Sequence, residues 1–191
     1  MNRPLRPLLL ATVTALACAC GFTGTPPQPG HVAPDFELET LDGQTVKLTS
    51  LAASNPVVLV VLRGWPGYQC PICDRQVQDF IGKADEFAEA KAKMLFVYPG
   101  PAEDLKAHAR EFAEWKGKQW PDSFLLALDP GYAMVNAYKL RWDEPRETAY
   151  PATFVIDSKR VVRWVDVSRT HGGRTEASQV LNKVKTLPPS P

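Results

Sequence analysis

The chain has 191 residues, 45% of them hydrophobic, with 22 lysines and arginines set against 21 aspartates and glutamates. So even a balance, with no block of like charge, excludes the electrostatic footprint of a nucleic-acid-binding protein. The four cysteines do not make a disulfide framework: Cys18 and Cys20 stand near the N-terminus, and Cys70 and Cys73 form one close pair.

The first segment reads as an export signal. Asn2-Arg3-Pro4-Leu5-Arg6-Pro7 is a short basic stretch, and Leu8 to Ala17 is an uncharged apolar run too short to span a bilayer permanently. Ala precedes both Cys18 and Cys20. Residues 1–19 are therefore expected to be a signal peptide, and either cysteine resembles the lipid-bearing residue of bacterial lipoproteins. The expected location is the periplasm or a membrane held through that lipid, with no other membrane contact. Residues 20–31, rich in Pro, Gly and Thr, read as a tether. Residues 32–187 form one domain of roughly 160 residues, enough for a hydrophobic core of its own.

Within that domain Asp35 to Leu41 alternates apolar and polar residues as a half-buried strand, Asp42-Gly43 signals a turn, and Thr45 to Leu48 returns. Val57 to Leu62 is a continuous apolar run of the kind buried on both faces of a sheet. After Cys70-Pro71-Ile72-Cys73, apolar residues recur at helical spacing through Val77, Phe80, Ile81, Ala84, Phe87 and Ala88. Met94 to Tyr98 is a strand. A helix is expected to open at Pro101, with Glu103 and Asp104 in its first turn and a stripe of Leu105, Ala109, Phe112 and Ala113. Phe124 to Leu128 is a strand ended by Asp129-Pro130-Gly131, followed by a short helix over 132–138. Ala152 to Ile156 and Val161 to Val167 pair across Asp157-Ser158-Lys159-Arg160, and a last helix carries Ala177, Val180, Leu181 and Val184. Alternating strands and helices give an α/β fold, a central mixed sheet flanked by helices on both faces.

Pro71 suits the first position of a helix, which puts Cys70 at its N-cap and Cys73 in its first turn. Unpaired amides and the positive end of the helix dipole favour a thiolate there, and the thiolate is the nucleophile. Zinc needs four ligands and the domain has no second cysteine pair, so no metal is expected. A structural disulfide closing so short a loop stabilises little. The pair reads as redox-active, and no cofactor beyond it is expected.

Pro34-Asp35-Phe36, the strand leading to Arg63, Cys70-Pro71-Ile72-Cys73 and Tyr150-Pro151-Ala152-Thr153-Phe154-Val155-Ile156-Asp157 together resemble the redoxin group. That group comprises the alkyl hydroperoxide reductase/thiol-specific antioxidant (AhpC/TSA) proteins and the thioredoxin-like disulfide reductases. The resemblance covers nearly all of residues 32–187 and implies a thioredoxin-like fold. The thioredoxin-like pattern implies a cis-proline at Pro151, which would present the backbone of Tyr150 beside the sulfurs. The peroxiredoxin pattern, Pro-x-x-x-Thr-x-x-Cys, fits Pro66 to Cys73 with Cys70 in the place of Thr and Cys73 in the peroxidatic place. Peroxiredoxins supply an activating Arg near the position of Pro151; Tyr150-Pro151-Ala152 has none, leaving Arg63 or Arg141 as substitutes. Thioredoxin's buried acid is likewise missing from Val57 to Leu62; Asp74 only follows Cys73, so Tyr68 or water would carry the proton.

The leading expectation is an exported thiol–disulfide oxidoreductase: Cys70 attacks a protein disulfide, Cys73 resolves it, and Pro151 completes the catalytic set. The alternative is a thiol peroxidase acting on small peroxides, with Cys73 oxidised to a sulfenic acid and Cys70 closing the disulfide. Both need an external thiol reductant. A non-catalytic metal-binding or chaperone module is the third reading. Trp65, Tyr68, Tyr150 and Arg141 are the expected substrate or partner contacts.

Overall fold

The computed structural model describes residues 24–188; the expected signal peptide, Cys18 and Cys20 lie outside them. The apolar run that follows Pro56 becomes β3 (Val57–Val61), every residue of which is buried. Its side chains alternate between two cores, as the period of a strand requires. Val58 and Val60 join one hydrophobic cluster, and Val57, Leu59 and Val61 join the other. Burying each such side chain contributes about 1.5–3 kcal/mol.

Around β3 lies a seven-stranded sheet in the order β2-β1-β5-β4-β3-β6-β7. β4 (Lys93–Gly100) runs parallel to β3 and to β5 (Phe124–Pro130). The hairpin of β1 (Glu37–Thr40) and β2 (Thr45–Lys47) adds to β5 antiparallel. On the other side β6 (Ala152–Ile156) pairs antiparallel with β3, and β7 (Val162–Val167) with β6. One face carries α2 (Pro71–Ile81), α3 (Ala84–Glu89), α4 (Leu105–Glu114) and α6 (Ala177–Lys185). The other carries the single-turn helices α1 (Leu48–Ala52) and α5 (Ala133–Ala137). The mixed sheet with helices on both faces is the expected architecture.

Three local expectations are corrected. The helical stripe from Cys73 to Ala88 is two helices: the first ends at its C-cap Gly82, and Lys83 (φ −122°, ψ 19°) leaves helical geometry before the second begins. The helix expected from Pro101 starts at Leu105 instead, with Asp104 at its N-cap in the left-handed region (φ 54°). The pairing of β4 with β5 ends at Gly100, and residues 101–104 turn, with Asp104 left-handed, before the helix begins. Part of the expected tether is docked: Pro26 and Pro27 are buried, and Gly30 N–H and His31 C=O bond to Val162 at 2.8 and 2.9 Å.

Candidate active site

The site forms where β3 ends. Leu62 N–H still bonds to Val97, and Trp65 N–H bonds to Pro99. Between them the chain passes so close to β4 that a Cβ on Gly64 (φ 71°) would meet the Pro99 carbonyl oxygen at 1.8 Å. Only glycine fits there. The loop then feeds α2 as the sequence predicts: Cys70 is the N-cap, Pro71 the first helical residue, and Cys73 lies in the first turn.

Cys73 N–H donates to Cys70 Sγ at 3.3 Å, satisfying one of the open amides of the helix end. Cys70 and Cys73 are free thiols, 4% and 1% exposed. A hydrogen bond from the Cys73 thiol lowers the Cys70 pKa to about 5, against the cost of burial and with help from the Cys73 amide and Arg174. Burial pushes the Cys73 thiol well above its ordinary value, and its hydrogen bond to Cys70 adds to this. The pair therefore holds its ready negative charge on Cys70, the attacking sulfur of the disulfide-exchange reading, whereas the peroxidase reading had put the attacking sulfur at Cys73.

The guanidinium at the sulfurs is neither of those expected. Arg174, in the loop between β7 and α6, places Nη2 3.5 Å from Cys73 Sγ and 4.0 Å from Cys70 Sγ. Its Nη1 reaches Gln76 Oε1 at 3.4 Å, and its Nε donates to the His171 carbonyl at 3.1 Å. Arg63 contributes only its main-chain N–H to Cys73; its buried guanidinium bonds Glu147 at 2.7 Å, the Arg146 carbonyl at 2.9 Å and the Tyr68 hydroxyl. Arg141 is turned to its own loop, donating to the carbonyls of Trp142 at 2.7 Å and Glu147 at 3.2 Å and pairing with Asp143 at 3.4 Å.

The remaining expected contacts divide. Trp65 stacks on His108 of α4 (ring centroids 3.6 Å apart), a packing role. Tyr68 is 45% exposed and occupied by Arg63, so it is not a proton carrier placed on the sulfurs. Tyr150 is stacked on Trp142 at 4.7 Å, its N–H tied to the Leu140 carbonyl at 2.8 Å. Pro151 lines a crevice with Gln76, Gly173 and Arg174, but its peptide bond is trans: no cis bond occurs among the described residues. Trans is the lower-energy isomer even before proline, and here the Pro151 carbonyl accepts from Ser168 in the β6–β7 ladder.

Sequence reasoning did not assign Arg174, Gln76, Glu147 or Tyr98 a place at the sulfurs, although it noted the 140–147 loop and the 171–174 segment. Tyr98 sits near Cys73 with its hydroxyl on Gln69 Oε1 at 2.9 Å, and burial raises its pKa. Arg174 is about a hundred residues from the cysteines. The β3–β6–β7 order and the bond from Ala177 N–H to Asp79 Oδ2 (2.7 Å), which pins α6 to α2, bring its loop to the end of α2. Among the described residues no group of three or more His, Cys, Asp or Glu could hold a metal ion.

The profile of the AhpC/TSA family matches residues 29–165. The chain belongs to the AhpC/TSA family. It is 29% identical over 140 residues to chloroplastic peroxiredoxin Q of Triticum aestivum, an overlap of 71% of this chain and 57% of that protein. With the Oryza sativa subsp. japonica protein of the same name it shares 27% over 166 residues, 85% of this chain and 67% of the relative. The chain thus spans little more than half the length of the first of these relatives. Among solved structures it resembles peroxidoxin BcpB from Mycobacterium tuberculosis (TM-score 0.64, 23% identity, 85% of this chain and 99% of that one). It also resembles Mycobacterium tuberculosis AhpC (TM-score 0.67, 16% identity, 84% and 97%). The fold is thioredoxin-like, as in these peroxiredoxins. Against the AhpC/TSA pattern the chain has Cys70 where the motif has Thr, and a trans Pro151 where the family places its Arg.

Proposed function

We propose that the protein is a thiol peroxidase in which Cys70 and Cys73 cycle between dithiol and disulfide. It is a thiol-dependent oxidoreductase. The observation that carries this is a cysteine pair at a helix N-terminus with one guanidinium against both sulfurs. The AhpC/TSA match and the peroxiredoxin relatives favour peroxide reduction over a primary task in exchanging the disulfides of other proteins.

The Cys70 thiolate attacks one oxygen of a peroxide. The O–O bond breaks, the sulfur becomes a sulfenic acid, and the leaving oxyanion takes a proton to become an alcohol or water. Arg174 stabilises the thiolate and then the charge growing on the departing oxygen. Cys73, held protonated by burial while Cys70 is a thiolate, gives up its proton as its sulfur attacks the sulfenic sulfur; the proton and the departing hydroxyl leave as water and the disulfide closes. An external thiol returns both electrons by disulfide exchange, so the chemistry first expected of the pair supplies the second half of the cycle. Export, with a lipid on Cys18 or Cys20, would place this activity in the periplasm or at a membrane surface.

The assignment of the two sulfurs is tested by trapping. Reduced Cys73→Ser is treated with one equivalent of hydrogen peroxide and dimedone, and the adduct is mapped by mass spectrometry. Labelling at Cys70 is expected, with little at Cys73 in Cys70→Ser. The reverse pattern reassigns the attack to Cys73, and no adduct in either variant removes the peroxidase reading.

A further inference from the structure

A chain of polar contacts leaves the sulfurs and returns to them. The Arg63 main-chain N–H donates to Cys73, and the Arg63 Nε pairs with Glu147 Oε2 at 2.7 Å. The other oxygen of Glu147 accepts from His171 Nε2 at 2.8 Å. The His171 carbonyl holds Arg174 Nε at 3.1 Å, and Arg174 Nη2 closes the circuit on Cys73 at 3.5 Å. Thr148 Oγ1, next to Glu147, donates to the Arg63 carbonyl and fixes the floor of this circuit. The His171 ring also lies against Trp142, at 5.1 Å between centroids, which is itself stacked on Tyr150.

Gly172 and Gly173 stand between His171 and Arg174, and Gly173 has φ 66°. A Gly-Gly link has wide conformational freedom, so the backbone alone does not aim Arg174. The side chain of His171 is half exposed and makes no contact with either sulfur in the structure, yet it is the part of this loop that meets the buried Arg63–Glu147 pair.

We propose that Glu147 and His171 are positioning residues: the carboxylate clamps His171 against Arg63 and thereby sets Arg174 against Cys70 and Cys73. The inference rests on the thiol chemistry proposed for that pair, and extends it to residues that touch neither sulfur. It also accounts for the use of a distant loop in place of an Arg beside Pro151. Ser168 Oγ, on the Thr170 and Gly172 carbonyls, and Thr175 Oγ1, on Asp166, hold the two ends of the loop, and the Arg63–Glu147 pair is the buried anchor that takes hold of it through the His171 side chain.

The test is the pH profile of alkylation of the reduced full chain by iodoacetamide, which reads thiolate formation without any peroxide. The groups facing the sulfurs are Arg174, Tyr98 and the amides of Ile72, Cys73 and Arg63; the amides are fixed in the backbone and Tyr98 is bound to Gln69, so a midpoint change in a His171 variant reports on Arg174. His171→Ala, at an exposed side chain that leaves the core intact, is expected to raise the midpoint by about 0.5–1 pH unit, in the direction of Arg174→Gln. His171→Gln keeps a donor for Glu147 and is expected to restore most of the wild-type profile. In an Arg174→Gln background His171→Ala should add nothing further, the signature of two residues acting in series. A wild-type midpoint in His171→Ala, or additive effects in the double variant, overturns the proposal. Loss of alkylation in Cys70→Ser checks the thiol reading separately, and failure to consume peroxide bears on the peroxidase reading alone.

Discussion

Two networks of charge flank the first turn of α2, and they differ in where they end. On one side Asp74 is closed off. It pairs with Lys118 at 2.5 Å, both side chains being 2% exposed, and adds Lys116 at 3.2 Å and Gln78 at 3.0 Å. Burial opposes ionisation, but these partners outweigh it and hold the carboxyl below its ordinary range. On the other side Arg63 and Arg174 supply two positive charges and Glu147 one negative. Each network has one more cation than carboxylate, but the spare cation beside Asp74 is Lys116, whose side chain is 55% exposed to solvent, whereas Arg174 is turned onto the sulfurs and awaits a thiolate there. A satisfied buried pair is a matter of folding, whereas one short of an anion prepares a site for charge that develops there.

The largest effect that would break this contrast comes from Arg174. Arg174→Gln should slow the reaction of the reduced protein with hydrogen peroxide by about 100-fold, followed by stopped-flow fluorescence. Its unfolding midpoint in urea should barely move. Lys118→Met should do the opposite, costing about 3 kcal/mol of stability by leaving Asp74 only Gln78 and the half-exposed Lys116, with the alkylation midpoint unchanged. If Lys118→Met moved the thiol as Arg174→Gln does, the two networks would not be separate. The smallest effect is one of pH. Asp74 has a depressed folded pKa, so its contribution is present above about pH 4 and lost as the pH falls through the folded value. Asp74→Asn should therefore flatten the acid limb of the stability curve below about pH 4, measured by thermal unfolding.

These networks also mark what could be read from the chain alone. Val57 to Leu62, with no polar residue in six, could only be a strand covered on both faces, and β3 is that strand. Cys70 at the N-cap and Pro71 in the first turn followed from local rules that act over one turn of helix. Arg174 did not, because its place depends on two strand pairings and a helix contact that no local pattern encodes. The choice of Arg63 and Arg141 failed for a related reason: each has a nearer claimant, Glu147 for Arg63 and the 141–148 turn for Arg141. Pro101, Glu103 and Asp104 gave a sound helix-start signal, but the chain turns through a left-handed Asp104 and the helix starts only at Leu105. The cis bond at Pro151 came from family resemblance rather than from these residues, and the β6–β7 ladder accommodates the trans form.

Mixing the reduced protein with one equivalent of hydrogen peroxide, and following both peroxide loss and thiol content, tests the central claim most directly. A peroxidase built on this pair consumes the equivalent orders of magnitude faster than free cysteine does, and leaves one disulfide joining Cys70 to Cys73. Peroxide lost no faster than with free cysteine, or thiols still free when it is gone, would contradict it.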